Sequence, residues 1–358
     1  MTVLLALNCG SSSLKYATFH GDDALVRGAI ERIGAGGVPD HGAAVHAVLD
    51  RLAEGGGAPP CAVGHRIVHG GPDHTTPARV DDALLASLER AVPFAPLHLP
   101  AELAAIRAVR ERFGDVPQVV CFDTTFHRTL PPVAQRLPVP ASLHTAGVRR
   151  YGFHGLSYEY VVATLGAEKL GRAVIAHLGN GASMAAVAHG QCVDTTMAFT
   201  PTAGLVMGTR TGDLDPGLLV YLLQHKGYDA AKLERLVNHE AGLLGLSGTS
   251  SDMQQLLGLR ETDARAALAV DVFCMQARKW VGALAAVLGG IDSLVFTGGI
   301  GEHAAAVRKD ICAGLAHLGV PAAGESGGTC TVHVVHTDEE RMIARRTREL
   351  TGGAGSGD

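Results

Sequence analysis

The sequence predicts an α/β protein built from two domains of similar construction. Three observations carry that reading. Short apolar runs alternate with capped helical stripes along the chain. A strand–turn–strand signature near the start, ALNCGSSSLKYATFHG from Ala6 to Gly21, is echoed by AHLGNGASMAAVAHG from Ala176 to Gly190. The length of 358 residues is long for one compact unit and comfortable for two.

The runs Val3 to Leu7, Val119 to Phe122, Ala173 to Leu178 and Ser293 to Phe296 read as buried strands, each ending in a turn rich in Gly, Asn, Ser or Asp. Asp40 precedes a helical stripe of Val45, Val48, Leu49 and Leu52 that Gly55 stops, and Pro100 opens another of Leu103, Ile106 and Val109. Asp215-Pro216 opens a third, and Thr262 precedes a long one ending at Gly289-Gly290. The tail from Gly352 to Asp358 is Gly/Ser-rich and is expected to fray.

Composition excludes several classes. With 47% hydrophobic and 18% charged residues there is material for buried cores and no case for disorder. A formal net charge of −5 gives no general pull towards nucleic acid or anionic lipid, so neither is expected as a partner. Any bound anion must be held by locally placed cations and amides. The seven cysteines are dispersed, odd in number and never in a C-x-x-C pair, which argues against a disulfide framework or structural zinc and suits a reducing cytoplasm. The N-terminus lacks a basic region and its apolar run breaks at Asn8, so no signal peptide is expected. The stretch from Trp280 to Phe296 contains Gly289, Gly290 and Asp292, and reads as a helix end followed by a buried strand rather than a membrane span.

The first turn, Asn8 to Lys15, offers hydroxyls, backbone amides and one ammonium, a set that can cradle phosphate oxygens. A plain polar hairpin turn is the alternative. Ser12-Ser13-Leu14-Lys15 also fits the S-x-x-K pattern of serine acyl-enzymes, but the partner S-D-N and K-T-G motifs are absent and the following residues alternate like a strand. Two more Gly-rich turns follow strands, at His177 to Ser183 and at Thr297 to His303, the second leading into a helix; neither is a P-loop. Arg66 lies in GHRIVHGG near a strand end and Arg210 in GTRTGD before a helix, where a surface ion pair is the alternative for each. His65, His69 and His74 lack the neighbouring carboxylate and helical spacing of a metal site. Asp123 sits just past the carboxyl end of a strand, where open α/β sheets collect ligands, with a helix cap as the alternative.

Taken in order, LNCGSSSLKY, GHRIVHGG, APLH, FDTTFH, RRYGFHGLSYEYV, HLGNGAS, TPTAGLVMGTRTGDLDPG, GLSGTSSDM, VFTGGIGEH and HTDEERMIAR resemble the acetate kinase family from Leu7 to Arg345. The resemblance implies duplicated ribonuclease H-like domains of the actin and sugar-kinase type around a central ATP cleft. It implies an N-terminal domain over 1–127, onto which a C-terminal helix at 341–354 packs back, and a nucleotide-binding domain over 128–340. The implied activity is reversible, Mg²⁺-dependent transfer of the γ-phosphoryl group of ATP to acetate, with Mn²⁺ as a substitute ion, in a cytoplasmic homodimer.

Site roles follow from the same resemblance. Asn8, Ser11, Ser13, Lys15 and His98 would lie near the phosphates. Arg66, Arg210 and His154 would hold the carboxylate and the transferring phosphoryl group. Asn8, Asp123 and Glu339 would organise the metal, Asp123 being the residue treated as catalytic in the family. Val68, Leu97, Phe153 and Pro201 would enclose the methyl group. His177, Asn180, Gly181, Asp252, Gly299, Ile300, Gly301 and His303 would line the nucleotide side.

These residue types suit the reaction. A carboxylate nucleophile is ionised at neutral pH and needs no general base, so Asp123 is better read as an organiser of metal or water. The obstacle is repulsion between two anions, ~4 kcal/mol for unit charges ~4 Å apart at an effective dielectric of ~20. A divalent ion and two arginines offset it, and the planar guanidinium meets carboxylate and phosphoryl oxygens with paired bonds. Three departures touch the loops: Thr202-Ala203 where L-E is usual, Met253-Gln254 after Asp252 where an aromatic–arginine pair is usual, and His303 where asparagine is usual. The chain is also short between Gly28 and Pro60. The alternatives are a propionate or other short-chain carboxylate kinase of the same fold, or a non-catalytic actin-like ATP-binding module.

Overall fold

In the computed structural model the chain is described over residues 3–10, 12–35, 37–56, 58–321 and 328–352. Ser11 and the expected frayed tail beyond Gly352 lie outside the described residues. The chain falls into two compact units, Met1–Phe126 with Asp338–Asp358, and His127–Thr337.

The first unit is a six-stranded sheet of β1 (Leu4–Cys9), β2 (Ser13–His20), β3 (Asp23–Glu31), β4 (Ala62–Ile67), β5 (Ala78–Arg79) and β6 (Gln118–Phe122), in the order β3-β2-β1-β4-β6-β5. The run Leu4 to Cys9 is buried throughout because β1 is central, pairing antiparallel with β2 and parallel with β4. Leu5, Leu7 and Cys9 pack with Val45, Val48 and Leu49 of α1 (His41–Glu54) and with Ala105, Ala108 and Val109 of a later helix, Leu99–Phe113. Numbering α2 as Asp82–Ala91 makes that helix α3. Asp40 caps α1 by accepting from Ala43 N, as its position before the stripe predicts.

The C-terminal helix, Glu339–Thr351, packs on β1, β4 and β6. It starts two residues before the expected 341 and stops at Gly352. Small residues make room for it: Ala6 pairs with both Ala17 and Gly64 in the ladders, and Gly64 faces Ile343 and Thr347.

The second unit is a five-stranded sheet of β7 (Arg172–Leu178), β8 (Ala182–Ala188), β9 (Gln191–Thr195), β10 (Ser293–Thr297) and β11 (Thr331–Val334), in the order β11-β10-β7-β8-β9. The echoed hairpins are β1–β2 and β7–β8. The duplication extends further than the echo, since β3-β2-β1-β4-β6 and β9-β8-β7-β10-β11 share order and direction. The helices of this unit used below are α4 (Gly155–Leu165), α5 (Pro216–His225), α6 (Met253–Leu259), α7 (Ala264–Leu288) and α8 (Gly298–His303). The long helix α7 is capped by Asp263 rather than Thr262, through Arg265 N and Ala266 N, and Gly289 ends it at φ 69°. Trp280 to Phe296 is thus a helix end and a buried strand, and among the described residues no helix is long and apolar enough to cross a membrane.

A Cβ added at Gly64 would overlap Thr347 Oγ1 and the Ile343 side chain. Gly64→Ala should therefore lower unfolding stability by ~1–3 kcal/mol through overpacking, read from urea denaturation. An unchanged midpoint would show that the C-terminal helix does not depend on this close approach.

Candidate active site

The carboxyl ends of β1, β4 and β6 converge in the first unit, and the chemistry collects there. Arg66, one residue before the end of β4, reaches Asp123 with Nε to Oδ1 at 3.0 Å and one terminal nitrogen to Oδ2 at 2.6 Å. The other terminal nitrogen donates to the Cys9 carbonyl at 2.8 Å, at the end of β1. The Arg66 side chain is 14% exposed and that of Asp123 1%. Burial on its own would lower the guanidinium pKa, yet Asp123, with Glu339 and Glu102 behind it, outweighs burial and holds Arg66 more firmly protonated than usual. The alternative of a surface ion pair for Arg66 is thereby excluded; the pair is in the interior. Asp123 is placed by its own N–H, which donates to the Ile67 carbonyl at 3.0 Å, and both its carboxylate oxygens are turned to Arg66.

The β1–β2 turn is closed by Gly10 N donating to Ser13 O at 2.8 Å, and His41 donates from Nε2 to the Gly10 carbonyl at 2.8 Å. Asn8 and Lys15 face each other in the ladder. Asn8 donates from Nδ2 to Glu339 Oε2 and to Glu340 Oε1, both at 2.9 Å, from the first turn of the C-terminal helix. Burial raises the Glu339 pKa; Arg66, Asn8 and Lys15 pull against it, while Asp123 adds to the rise. Glu340 is raised by burial and by Glu339. Crowded carboxylates beside an amide oxygen donor fit a hard divalent cation. Such an ion commonly takes one or two protein carboxylates and completes its shell with water and phosphate. No group of three or more His, Cys, Asp or Glu residues suited to an all-protein metal cage occurs among the described residues.

Val68 follows β4 and is buried, whereas Leu97 is 42% exposed just ahead of α3, whose N-cap is His98. Val68 N–H is held by Glu102 of α3, with both carboxylate oxygens at 3.1 Å. The histidines of GHRIVHGG serve the fold: His65 bonds Gln118 at 2.8 Å, with burial pushing its pKa down to about 4, and His69 Nδ1 accepts from Gly71 N.

In the second unit the β7–β8 turn gathers the corresponding set. His154 precedes α4 in the left-handed region at φ 58°, strained for a non-glycine, and its Nδ1 bonds Ser183 Oγ at 2.8 Å. Its ring stacks on His177 with centroids 4.3 Å apart, and His177 Nδ1 bonds Ser157 Oγ at 2.9 Å. Gly181 lies against His154 Nε2 and an Arg210 terminal nitrogen, 3.3 and 3.6 Å from where its Cβ would stand. Arg210 donates to the Pro201 carbonyl at 3.1 Å, and the Asn180 carbonyl accepts from Gly208 N at 3.0 Å. Gly298, at the start of α8, abuts His177 and so places Gly299, Ile300, Gly301 and His303 after it. That helix is only six residues long. Phe153 is fully buried, its carbonyl accepting from His127 Nε2 at 2.9 Å. Asp252 is exposed and caps α6 through Gln255 N at 2.8 Å.

Glu102, Glu340, His41 and Ser183 escaped the sequence reading. Glu102 alone left a usable signal: it falls three residues after Leu99 and four before Ile106, a charge inside an apolar stripe.

Two sheets of one topology, each with a tight turn between its first two strands, define a protein of the duplicated ribonuclease H-like fold class. A ROK hexokinase from Thermus thermophilus, 13% identical with a TM-score of 0.50, shares that fold. The acetokinase family's sequence profile matches residues 3–345, and the chain belongs to that family. Acetate kinase from Micrococcus luteus is 44% identical over 391 aligned positions, spanning 98% of this chain and 100% of the relative. Acetate kinase from Porphyromonas gingivalis superposes with a TM-score of 0.87 at 36% identity. A propionate kinase from Francisella tularensis superposes at 0.91 with 34% identity. Each of the two structures covers 98% of this chain and is itself covered in full.

Asp123→Ala would leave the Arg66 guanidinium buried without its carboxylate, at a cost of ~3–5 kcal/mol in unfolding stability. Chemical denaturation checks this. A loss below ~1 kcal/mol, the range of an exposed pair, would show that the pair contributes little to holding β4 and β6 together.

Proposed function

We propose that this chain is an acetate kinase: it transfers the γ-phosphoryl group of ATP to acetate, reversibly, giving acetyl phosphate and ADP. The observation that carries the reading is Arg66, locked in its fork by Asp123 and Cys9 beside the buried Val68, in a chain 44% identical to an acetate kinase.

Acetate is ionised before it binds, so the reaction needs alignment and charge compensation rather than a base. Both oxygens of Asp123 are already engaged by Arg66, which supports a positioning role over proton abstraction. In this reading Arg66 and Arg210 receive the carboxylate and the transferring phosphoryl oxygens. His154, its ring held by Ser183 and His177, donates to the same group. Ser13 and Lys15, and with them Ser11 and His98, meet the phosphates. Val68, Leu97, Phe153 and Pro201 enclose the methyl group. His177, Asn180, Gly181, Asp252, Gly299, Ile300, Gly301 and His303 line the nucleotide, with Asp252 keeping its cap on α6.

Asn8, Asp123 and Glu339 would hold Mg²⁺, and Mn²⁺ would suit the same oxygens. When bound, that ion neutralises charge on the phosphate oxygens. Propionate is a second acceptor, supported by the likeness to the Francisella propionate kinase and by the small energy of one methylene, ~1–3 kcal/mol.

The chain is proposed to act as a cytoplasmic homodimer. Seven free cysteines support a reducing compartment. Helix α5, with no buried residue and with Leu218, Val220, Tyr221 and Leu223 each 40–50% exposed, supports burial against a second copy. Sedimentation should give twice 37.0 kDa, and a stable monomer would contradict the dimer.

Trapping acyl phosphate as hydroxamate, with ATP, Mg²⁺ and a series of acids, tests the activity. Acetate should give product, with propionate behind it. Arg210→Ala should cut turnover by at least ~10²-fold while ATP binding persists, since it removes charge stabilisation in the transition state. Turnover at the wild-type level in that variant would overturn the site assignment.

A further inference from the structure

We infer that Glu102 is a positioning residue that sets the spacing between Val68 and the Leu97–His98 segment, and through it the acyl-chain length accepted. The inference rests on the carboxylate-kinase reading above.

Val68 lies just past the sheet. The β1–β4 ladder ends at Leu7 and His65, and the β4–β6 ladder at Ile67 and Phe122. Its N–H is therefore left without a strand partner at a residue 2% exposed, and a buried amide needs an acceptor. Glu102 supplies it with both carboxylate oxygens, each 3.1 Å away. The backbone N–H of Glu102 in turn donates to the His98 carbonyl at 3.1 Å, one helical turn back. One residue thus ties the two segments of the first unit assigned to the methyl group.

The carboxyl is an expensive choice there. Glu102 is 2% exposed inside the stripe of Leu99, Leu103 and Ile106, where an apolar side chain would pack without desolvation. Burial pushes its pKa up to about 8 against the pull of Arg66 and the Val68 N–H. Structural packing alone does not call for such a group; an acceptor of this reach, aimed at this amide, does.

Glu102→Asp shortens the reach by one methylene and keeps the carboxyl group, and Glu102→Gln keeps reach and acceptor. Glu102→Asp should change the ratio of kcat/KM for propionate over acetate by ~10-fold or more, the scale of one methylene in an apolar pocket. KM for ATP should stay within about threefold, a span of only ~0.7 kcal/mol. Glu102→Gln should return the acid ratio to within the same threefold window. The acid ratio is measured beside the thermal midpoint. A lowered midpoint with the wild-type acid ratio in the Asp variant would overturn the inference, because a purely structural residue behaves so. A wild-type protein that makes no acyl phosphate from any acid would sink the underlying reading instead, so the two failures are distinguishable.

Discussion

A guanidinium held in the interior of a sheet protein has to be matched by a carboxylate and by further acceptors, and Arg66 is matched by Asp123 and the Cys9 carbonyl. That arrangement ties the carboxyl ends of β1, β4 and β6 to one point, because the three partners stand on those three strands or just past them. It also fixes the plane of the fork. The price in desolvation is a reason for a rigid, pre-aimed cation rather than a mobile one.

Around this cation the first unit gathers more carboxyl groups than cations. Asp123, Glu102, Glu339 and Glu340 stand against Arg66 and Lys15, and the raised pKa values of Glu102, Glu339 and Glu340 register the crowding and the burial together. Two of those carboxylates arrive on the C-terminal helix, so the site needs both ends of the chain in one unit. Glu339 and Glu340, crowded together beside Asn8, have the oxygen-donor chemistry that fits a hard divalent cation.

Duplication explains the scaffold and divergence explains the chemistry. The two sheets repeat one strand order, but the β1–β2 turn leads into Lys15 while the β7–β8 turn offers Asn180 and Gly181 and leads into Ser183. An uncharged turn in the second unit leaves Gly181 small enough for His154 and Arg210 to approach. Ser183, on β8, is spent on orienting His154 and on Tyr158.

Local physics was legible from the chain itself. Asp40 and Gly55 bound α1, Gly289 stops α7, and the repeated hairpin announced two sheets, because caps, glycine conformations and strand alternation act over a few residues. The class of reaction was legible too, through whole motifs rather than single residues. What tertiary structure decided are the partnerships between distant residues. Arg66 meets Asp123 across 57 positions and Asn8 meets Glu339 across 331, and no spacing rule reaches that far. Glu102 passes unnoticed in its apolar stripe, and only the end of β4 shows which amide it serves, that of Val68. Sequence patterns report which side of an element faces inward; only the packed chain determines what each inward group finds there.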